Sequence, residues 1–432
     1  MALRIDAHDL AISKRLAATL LIVILAGCAT TRPPAPPIPP QPPPPPLQPA
    51  PIVLPLRLDA ARFSELDGWA QSDTRNALQA FQRSCGALSR KPDDGPLGGV
   101  NYAGTAGDWR TACSAAVSLN ASSPAEAREF FEAEFVPYRL SQGSGPGLFT
   151  GYYEPQLRGS RTKKGAYQTP LYGVPADLVN VDLGLFRDSL KGQRIVGRVT
   201  GARLIPYPAR SEIEGAGLSQ SVPLLYVDDP VDAFFLQIQG SGRVVLDDGS
   251  VVRAAYGAQN GQPYTAIGAV LIQRGELKRE DVSLQSIRAW LAQHPSEAQQ
   301  LMNTNASYVF FTEQPIGDPA LGAVGAQGVA LTPEASLAVD LTLHALGVPA
   351  WLEATAPDPD ASKPEQKLDR LLIMQDTGGA IRGAIRGDVY WGFGADSASV
   401  AGRMRSEGRL NVLLPKSVAA RLGANAEFAG PQ

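Results

Sequence analysis

Apolar positions along this chain fall into two textures. Between residues 60 and 140 they recur at helical spacing. Leu78, Phe81, Cys85 and Leu88 stand three or four apart and share one helix face. Ser123-Pro124-Ala125-Glu126 combines a capping box with proline at the first helical position and predicts a helix start. That helix carries Phe130, Phe131 and Phe135, which read as core rather than as a ligand platform. From Gly147 onward, short apolar runs alternate with glycines and turn pairs: LFTGYYEP, TPLYGVP, RIVGRV, PLLYVDDP, AFFLQIQGSGRVVLDDGSVVRAAY. This is the texture of strands. Asp247-Asp248-Gly249-Ser250 between two such runs predicts a hairpin. Helices are predicted at Thr265–Arg274, closed by Gly275, and from Ser283 to Gln293, with an interruption at Pro295. Strands resume at Tyr308–Phe311 and continue to Lys416, with no internal repeat of fixed period.

The N-terminal pattern is different. Lys14 and Arg15 precede an apolar run, Leu16–Leu25, which is too short to span a bilayer and has the length of a signal-peptide core. The run closes in Leu25-Ala26-Gly27-Cys28, which resembles a bacterial lipobox. That resemblance implies cleavage before Cys28 and lipid on its thiol and new amino group. Several acyl chains give stable anchoring where one does not. Ala29 stands where lipoproteins retained in the inner membrane usually carry aspartate, which favours the outer membrane, periplasmic face. The alternative is an ordinary signal peptide with an incidental cysteine. Residues 33–51 are mostly proline and read as an extended polyproline II stalk, roughly 60 Å long at ~3.1 Å per residue.

Composition narrows the classes. Charged residues make up 19% and the net charge is −3, so nothing suggests a nucleic-acid surface. The 43 glycines suit many short strands and tight turns. Cys85 and Cys113 could form a disulfide in an oxidising compartment, contributing about 3 kcal/mol, or remain two buried thiols. His8, His294 and His344 lie far apart and outside every glycine-rich motif. That argues against a zinc site or a Ser-His-Asp triad, and no metal or organic cofactor is expected.

The richest segment is Leu371–Gly394, LLIMQDTGGAIRGAIRGDVYWGFG. Leu371–Met374 reads as a buried strand and Val389-Tyr390-Trp391 as the next, with Asp388 at its entrance. Gly378, Gly379, Gly383 and Gly387 allow sharp turns and close approach to a ligand. Aspartates beside glycine are commonly turn residues. An acid walled by aromatics can instead have its pKa raised by desolvation and act as a proton donor.

Four blocks together resemble the membrane-bound lytic murein transglycosylase A family. They are Phe149-Thr150-Gly151-Tyr152-Tyr153-Glu154-Pro155, Gln237-Ile238-Gln239-Gly240-Ser241-Gly242-Arg243, Ser307-Tyr308-Val309-Phe310-Phe311, and the 371–394 segment. They occur in the family's order over about residues 60–416. The resemblance implies a mainly β, two-domain fold: a double-psi β-barrel with N-terminal helices, an inserted second β-barrel, and a groove between them. The implied partition is 1–28 signal and lipobox, 29–56 linker, 57–154 with 319–424 the catalytic barrel, and 155–318 the substrate-binding insert. It also implies that Asp388 is the acid/base, that Asp376 and Asp340 support it, and that Thr150, Gln239, Gly240, Ser241 and Gly242 face the sugar chain. The sequence around Asp340 is looser than the family pattern. Tyr152, Tyr153 and Trp391 are candidates for stacking on sugar and equally for ordinary strand packing.

The implied activity is that of a peptidoglycan lytic exotransglycosylase. Protonated Asp388 would donate to the leaving glycosidic oxygen, and the C6 hydroxyl of N-acetylmuramic acid would attack C1, giving a 1,6-anhydro end. A raised pKa is expected for Asp388, from burial against Tyr390 or Trp391 and from a neighbouring aspartate. Expected partners are peptidoglycan strands, the outer membrane through the lipid, and murein synthases, with the chain a monomer. Two rivals stay open. One is a non-catalytic peptidoglycan-binding lipoprotein. The other is an aspartic protease, suggested by Asp376-Thr377-Gly378, which would need a second such motif or a dimer.

Overall fold

Two closed rings of strands, each packed with helices, organise the chain. The computed structural model describes residues 54–143, 145–218 and 220–429. Cys28 and the proline-rich stretch lie outside them. Six strands form the first ring through continuous pairing: Gly147–Glu154, Arg386–Phe393, Ser336–Ala338, Gln366–Asp376, Pro349–Ala356 and Arg405–Pro415. The last pairs with both Pro349–Ala356 and Gly147–Glu154, which closes the circle. Two pairings in the ring are parallel, Gly147–Glu154 with Arg386–Phe393 and Ser336–Ala338 with Gln366–Asp376. Closure removes free edges and fixes which residues face inward.

Helices Arg75–Leu88, Arg110–Ser118 and Pro124–Glu134 lie against this ring. The first buries Ala77, Leu78, Phe81, Ser84, Cys85 and Leu88 along one stripe. Ser123 caps the third, its side chain accepting from the Glu126 amide, and Pro124 opens it. Phe130, Phe131 and Phe135 pack around Phe81 as core. Cys85 and Cys113 are joined in a disulfide between the first two of these helices.

The second ring is built from Gln156–Ser160, Thr169–Tyr172, Pro223–Val227, Gly242–Leu246, Val251–Gln259 and Val309–Pro315. A bridge from Gly173 to Phe311 brings its two outer strands together. It has its own apolar core around Leu157, Leu225, Leu236, Val244 and Phe311. A helical cluster around Phe234, Phe235, Leu271, Trp290 and Leu301 packs beside it.

The expectation of a mainly β protein is corrected to a mixed α/β, two-domain fold: ten helices accompany eighteen strands among the described residues. Residues 230–239, taken with the strand-like runs, form a helix, Pro230–Gln239. Asp229 caps it, accepting from the Val231 amide at 2.7 Å, and Gly240 ends it at φ 83°. Its apolar residues face both the second ring and the helical cluster, so no one-sided stripe marks it.

Two chain crossings link the rings, and one buried carboxylate holds both. Glu154, fully buried, accepts from Arg243 Nε at 3.0 Å and Arg253 Nε at 2.5 Å. The same arginines donate to the carbonyls of Pro319 and Leu321 on the returning crossing.

Candidate active site

The short strand Ser336–Ala338 places the acids. Ala338 registers with Asp376 on one neighbour and with Asp388 on the other. Residues in register project to the same face, so both carboxylates stand on one side of the ring with only a methyl group between them. They are two strand spacings apart, roughly 10 Å.

Asp388 is the third residue of its strand, rather than at the strand entrance. It registers with Thr150, whose hydroxyl donates to Asp388 Oδ1 at 2.6 Å. Tyr152 lies two residues beyond Thr150 on the same face and donates to Asp376 Oδ2 at 2.9 Å. The Ala326 amide donates to Asp376 Oδ1 at 3.0 Å. Tyr152 also packs on Tyr390, ring centroids 5.2 Å apart. Each carboxylate is crowded by protein atoms yet keeps a part of its surface open.

Burial pushes the Asp388 carboxyl above its ordinary pKa, and the nearby Asp376 charge pushes the same way. The Thr150 hydrogen bond and the Arg386 charge pull against them. Asp376 is raised as well, by burial, against its bonds from Ala326, Thr377 and Tyr152. The direction expected for Asp388 therefore holds, with one change of cause. Tyr390 shares the acid's face, whereas Trp391 turns to the other side, against Gly151 and Met404. Trp391 there borders a separate recess of about 280 Å³ with Pro357, Arg370 and Val400.

Asp340 is buried on the loop after Ala338. It accepts from Thr342 at its hydroxyl and amide and from the Gly383 amide at 2.9 Å. It thus shapes the turn that feeds the Asp388 strand and makes no contact with Asp388 in the hydrogen-bond network. Gly383 needs that turn, its φ being 113°.

The remaining candidates divide. Tyr153 alternates to the face opposite Tyr152 and reaches toward Arg288 and Asp232 of the insert. Its amide donates to Gln239 Oε1 at 3.0 Å. Gly242 is buried where a Cβ would lie 2.8 Å from the Pro155 carbonyl. Gly240 and Ser241 join the Pro230–Gln239 helix to that strand and keep partial exposure. This block therefore builds the junction beside Pro155, with Gln237, Gly242 and Arg243 buried and Ile238, Gln239, Gly240 and Ser241 keeping partial exposure.

Two residues near the acid carried no signal in the pattern. Arg386 donates from Nη2 to Thr150 Oγ1 at 2.8 Å. Tyr264, about half-exposed on the insert, senses the Asp388 charge, its pKa raised by burial and by that charge. A Gly-Gln-Pro-Tyr sequence reads as a turn, and only the fold brings it here.

Two linked strand rings, with a partly open carboxylate of raised pKa and its hydroxyl donor on the first, define a two-domain protein suited to acid chemistry. The comparisons narrow the class. Residues 148–312 match the MltA specific insert domain, and residues 335–414 match the 3D domain. A membrane-bound lytic murein transglycosylase from Agrobacterium tumefaciens has a crystal structure with TM-score 0.74 and 32% identity, covering 84% of this chain and 99% of that one. A crystal structure of Escherichia coli MltA with bound chitohexaose aligns at TM-score 0.58 and 27% identity, over 78% of this chain and 90% of that one. In sequence, the membrane-bound lytic murein transglycosylase A of Escherichia coli K12 is 34% identical over 267 residues, 61% of this chain and 65% of that protein. The aligned stretch thus spans just under two thirds of that relative's length. The chain belongs to the MltA family.

Proposed function

We propose that this protein is a lytic transglycosylase that cleaves the β-1,4 bond between N-acetylmuramic acid and N-acetylglucosamine in peptidoglycan without water. The observation that carries the reading is Asp388, a partly open acid whose pKa is raised by burial and which is steadied by Thr150. The relatives support it: they are lytic murein transglycosylases by name, and one was crystallised with a bound chitohexaose.

In this mechanism protonated Asp388 gives its proton to the glycosidic oxygen as the C1–O bond breaks. The C6 hydroxyl of the same muramyl sugar attacks C1 and returns its proton to the carboxylate. The acid is restored, and the product carries a 1,6-anhydro ring. A glycosidase that uses water needs a second carboxylate as base or nucleophile. Intramolecular attack removes that need and benefits from enforced proximity. Asp376, held by Tyr152 and Ala326, would keep negative potential near the positive charge developing at C1. Thr150, Tyr152, Gly240 and Ser241 would line the substrate path, and Asp340 would fix the loop behind it.

The same reading takes the first ring, with its two parallel pairings, as a double-psi barrel made from 57–154 and 319–424, with 155–318 as the substrate-binding insert. It takes Cys28 as the lipid attachment site and the following proline-rich stretch as a stalk from the outer membrane. The relatives' description as membrane-bound agrees with an anchor. A monomer, with murein synthases as partners, completes it.

The test is incubation with purified murein and mass spectrometry of the products. Anhydro ends, one water lighter than hydrolysis products, are expected from the native chain and not from Asp388→Ala. A folded Asp388→Ala protein that still forms them at the native rate would refute the assignment.

A further inference from the structure

Asp388 and Thr150 face each other across the parallel pairing of their strands, and Arg386, two residues before Asp388 and opposite Leu148, reaches along the pairing to the same threonine. The guanidinium is fixed on both sides. Nη1 donates to the Leu148 carbonyl at 3.3 Å and to the Gly387 carbonyl, and Nη2 donates to Thr150 Oγ1 at 2.8 Å. A guanidinium has no acceptor, so the direction of that last bond is set. The threonine oxygen is thereby occupied as an acceptor, and its single proton points to Asp388 Oδ1 at 2.6 Å. Among the described residues no other acceptor takes that proton, and no donor reaches Oδ2.

We propose that Arg386 is a positioning residue. Through Thr150 it commits Oδ1 of Asp388 to the acceptor role and so assigns the acid's transferable proton to Oδ2. The opposite arrangement puts the proton on Oδ1, makes Thr150 accept twice and strands the threonine proton in a crowded site. Leaving such a group unpaired is costly. The inference rests on the reading of Asp388 as the acid. It adds which oxygen delivers the proton and which residue decides it. Arg386 has a second effect of opposite sign, since its charge favours ionised Asp388. The groups facing Asp388 are Arg386 and Tyr390 on its own strand, Thr150 and Tyr152 on the paired strand, Asp376 beyond Ala338, and Tyr264 from the insert.

The test is a double-mutant cycle on the full chain, reading release of anhydro-muropeptides over a range of pH. Arg386→Ala is expected to lower kcat roughly tenfold, the size of one charge-assisted hydrogen bond, with KM little changed. The alkaline limb of its profile moves to higher pH because a cation beside the acid is gone. Thr150→Val lowers kcat similarly, and Thr150→Ser restores it. Adding Arg386→Ala to Thr150→Val costs kcat nothing more. Arg386→Gln keeps N–H donors without charge, so it retains more kcat than Arg386→Ala while its alkaline limb still moves up. Additive losses in the double variant, or native kcat in Arg386→Ala, overturn the proposal. Thermal unfolding of each variant separates these results from a failure to fold. If the native chain releases no anhydro ends, the transglycosylase reading itself fails, an outcome distinct from both.

Discussion

Tyr152 donates its phenolic proton to Asp376 Oδ2 at 2.9 Å, although three strand-to-strand steps separate them around the ring. The bond favours the charged form of Asp376, and that charge in turn helps keep Asp388 protonated.

Neutralising Asp376 should therefore act on its neighbour. In Asp376→Asn the carboxylate that raises Asp388 is absent, so the alkaline limb of the pH–rate profile moves to lower pH and the rate near neutrality falls. Tyr152→Phe should move the limb the same way by a smaller amount, because Asp376 is then more readily protonated. Both are checked by kcat/KM against pH. A limb that stays in place in Asp376→Asn would show that the two acids are not coupled.

Asp388 should also cost the fold stability at neutral pH. Its folded pKa lies above the unfolded value of about 3.9. Its contribution is thus fully present below about pH 4 and is lost as pH rises through the folded pKa. Asp388→Asn removes the charge but keeps an oxygen for Thr150. It should melt at a higher temperature than the native chain at pH 7, and the difference should shrink toward pH 4. Melting curves across that range decide the point.

Gly151 is a packing requirement. A Cβ there would lie 2.7 Å from the Trp391 ring and 2.8 Å from the Ala401 Cα. Gly151→Ala should cost about 1–3 kcal/mol in denaturant unfolding. It should also lower activity below the transition, since the neighbouring Thr150 is displaced with the strand.

Reduction of the Cys85–Cys113 bond, which spans 28 residues of sequence, should cost roughly 3 kcal/mol. The first of the two helices it joins packs against Gln375, whose neighbour Asp376 projects to the other face of that strand. Reductant should therefore lower the melting temperature while leaving the rate of anhydro-end formation at 25 °C as it was.

Much of this site was legible because strand signals are local. The Leu371–Met374 run lies just before Asp376, and Asp388 precedes Val389-Tyr390, so both acids could be placed beside strands, although the structure includes each within its strand. Their common register with Ala338 was not legible, because pairing across the ring depends on contacts distant in sequence. Arg386 and Tyr264 escaped for the same reason: one reads as a surface charge and the other as a loop aromatic. Trp391 was left open between sugar stacking and strand packing; three residues from Asp388, it falls by alternation on the other face, against Gly151 and Met404. Glycines carried two meanings at once. Gly383 serves a left-handed turn, whereas Gly387 lies in extended strand, where a Cβ would meet Leu337 and Phe149.

Glu154 gives the molecule a mechanical character. The insert hangs from the first ring by two covalent connections, and this residue's two arginine partners grip the second connection as well. Swinging the halves apart would strip partners from a buried anion and two buried cations together. The junction between the rings is consequently a rivet rather than a hinge: their mutual placement is locked by charge at one buried point.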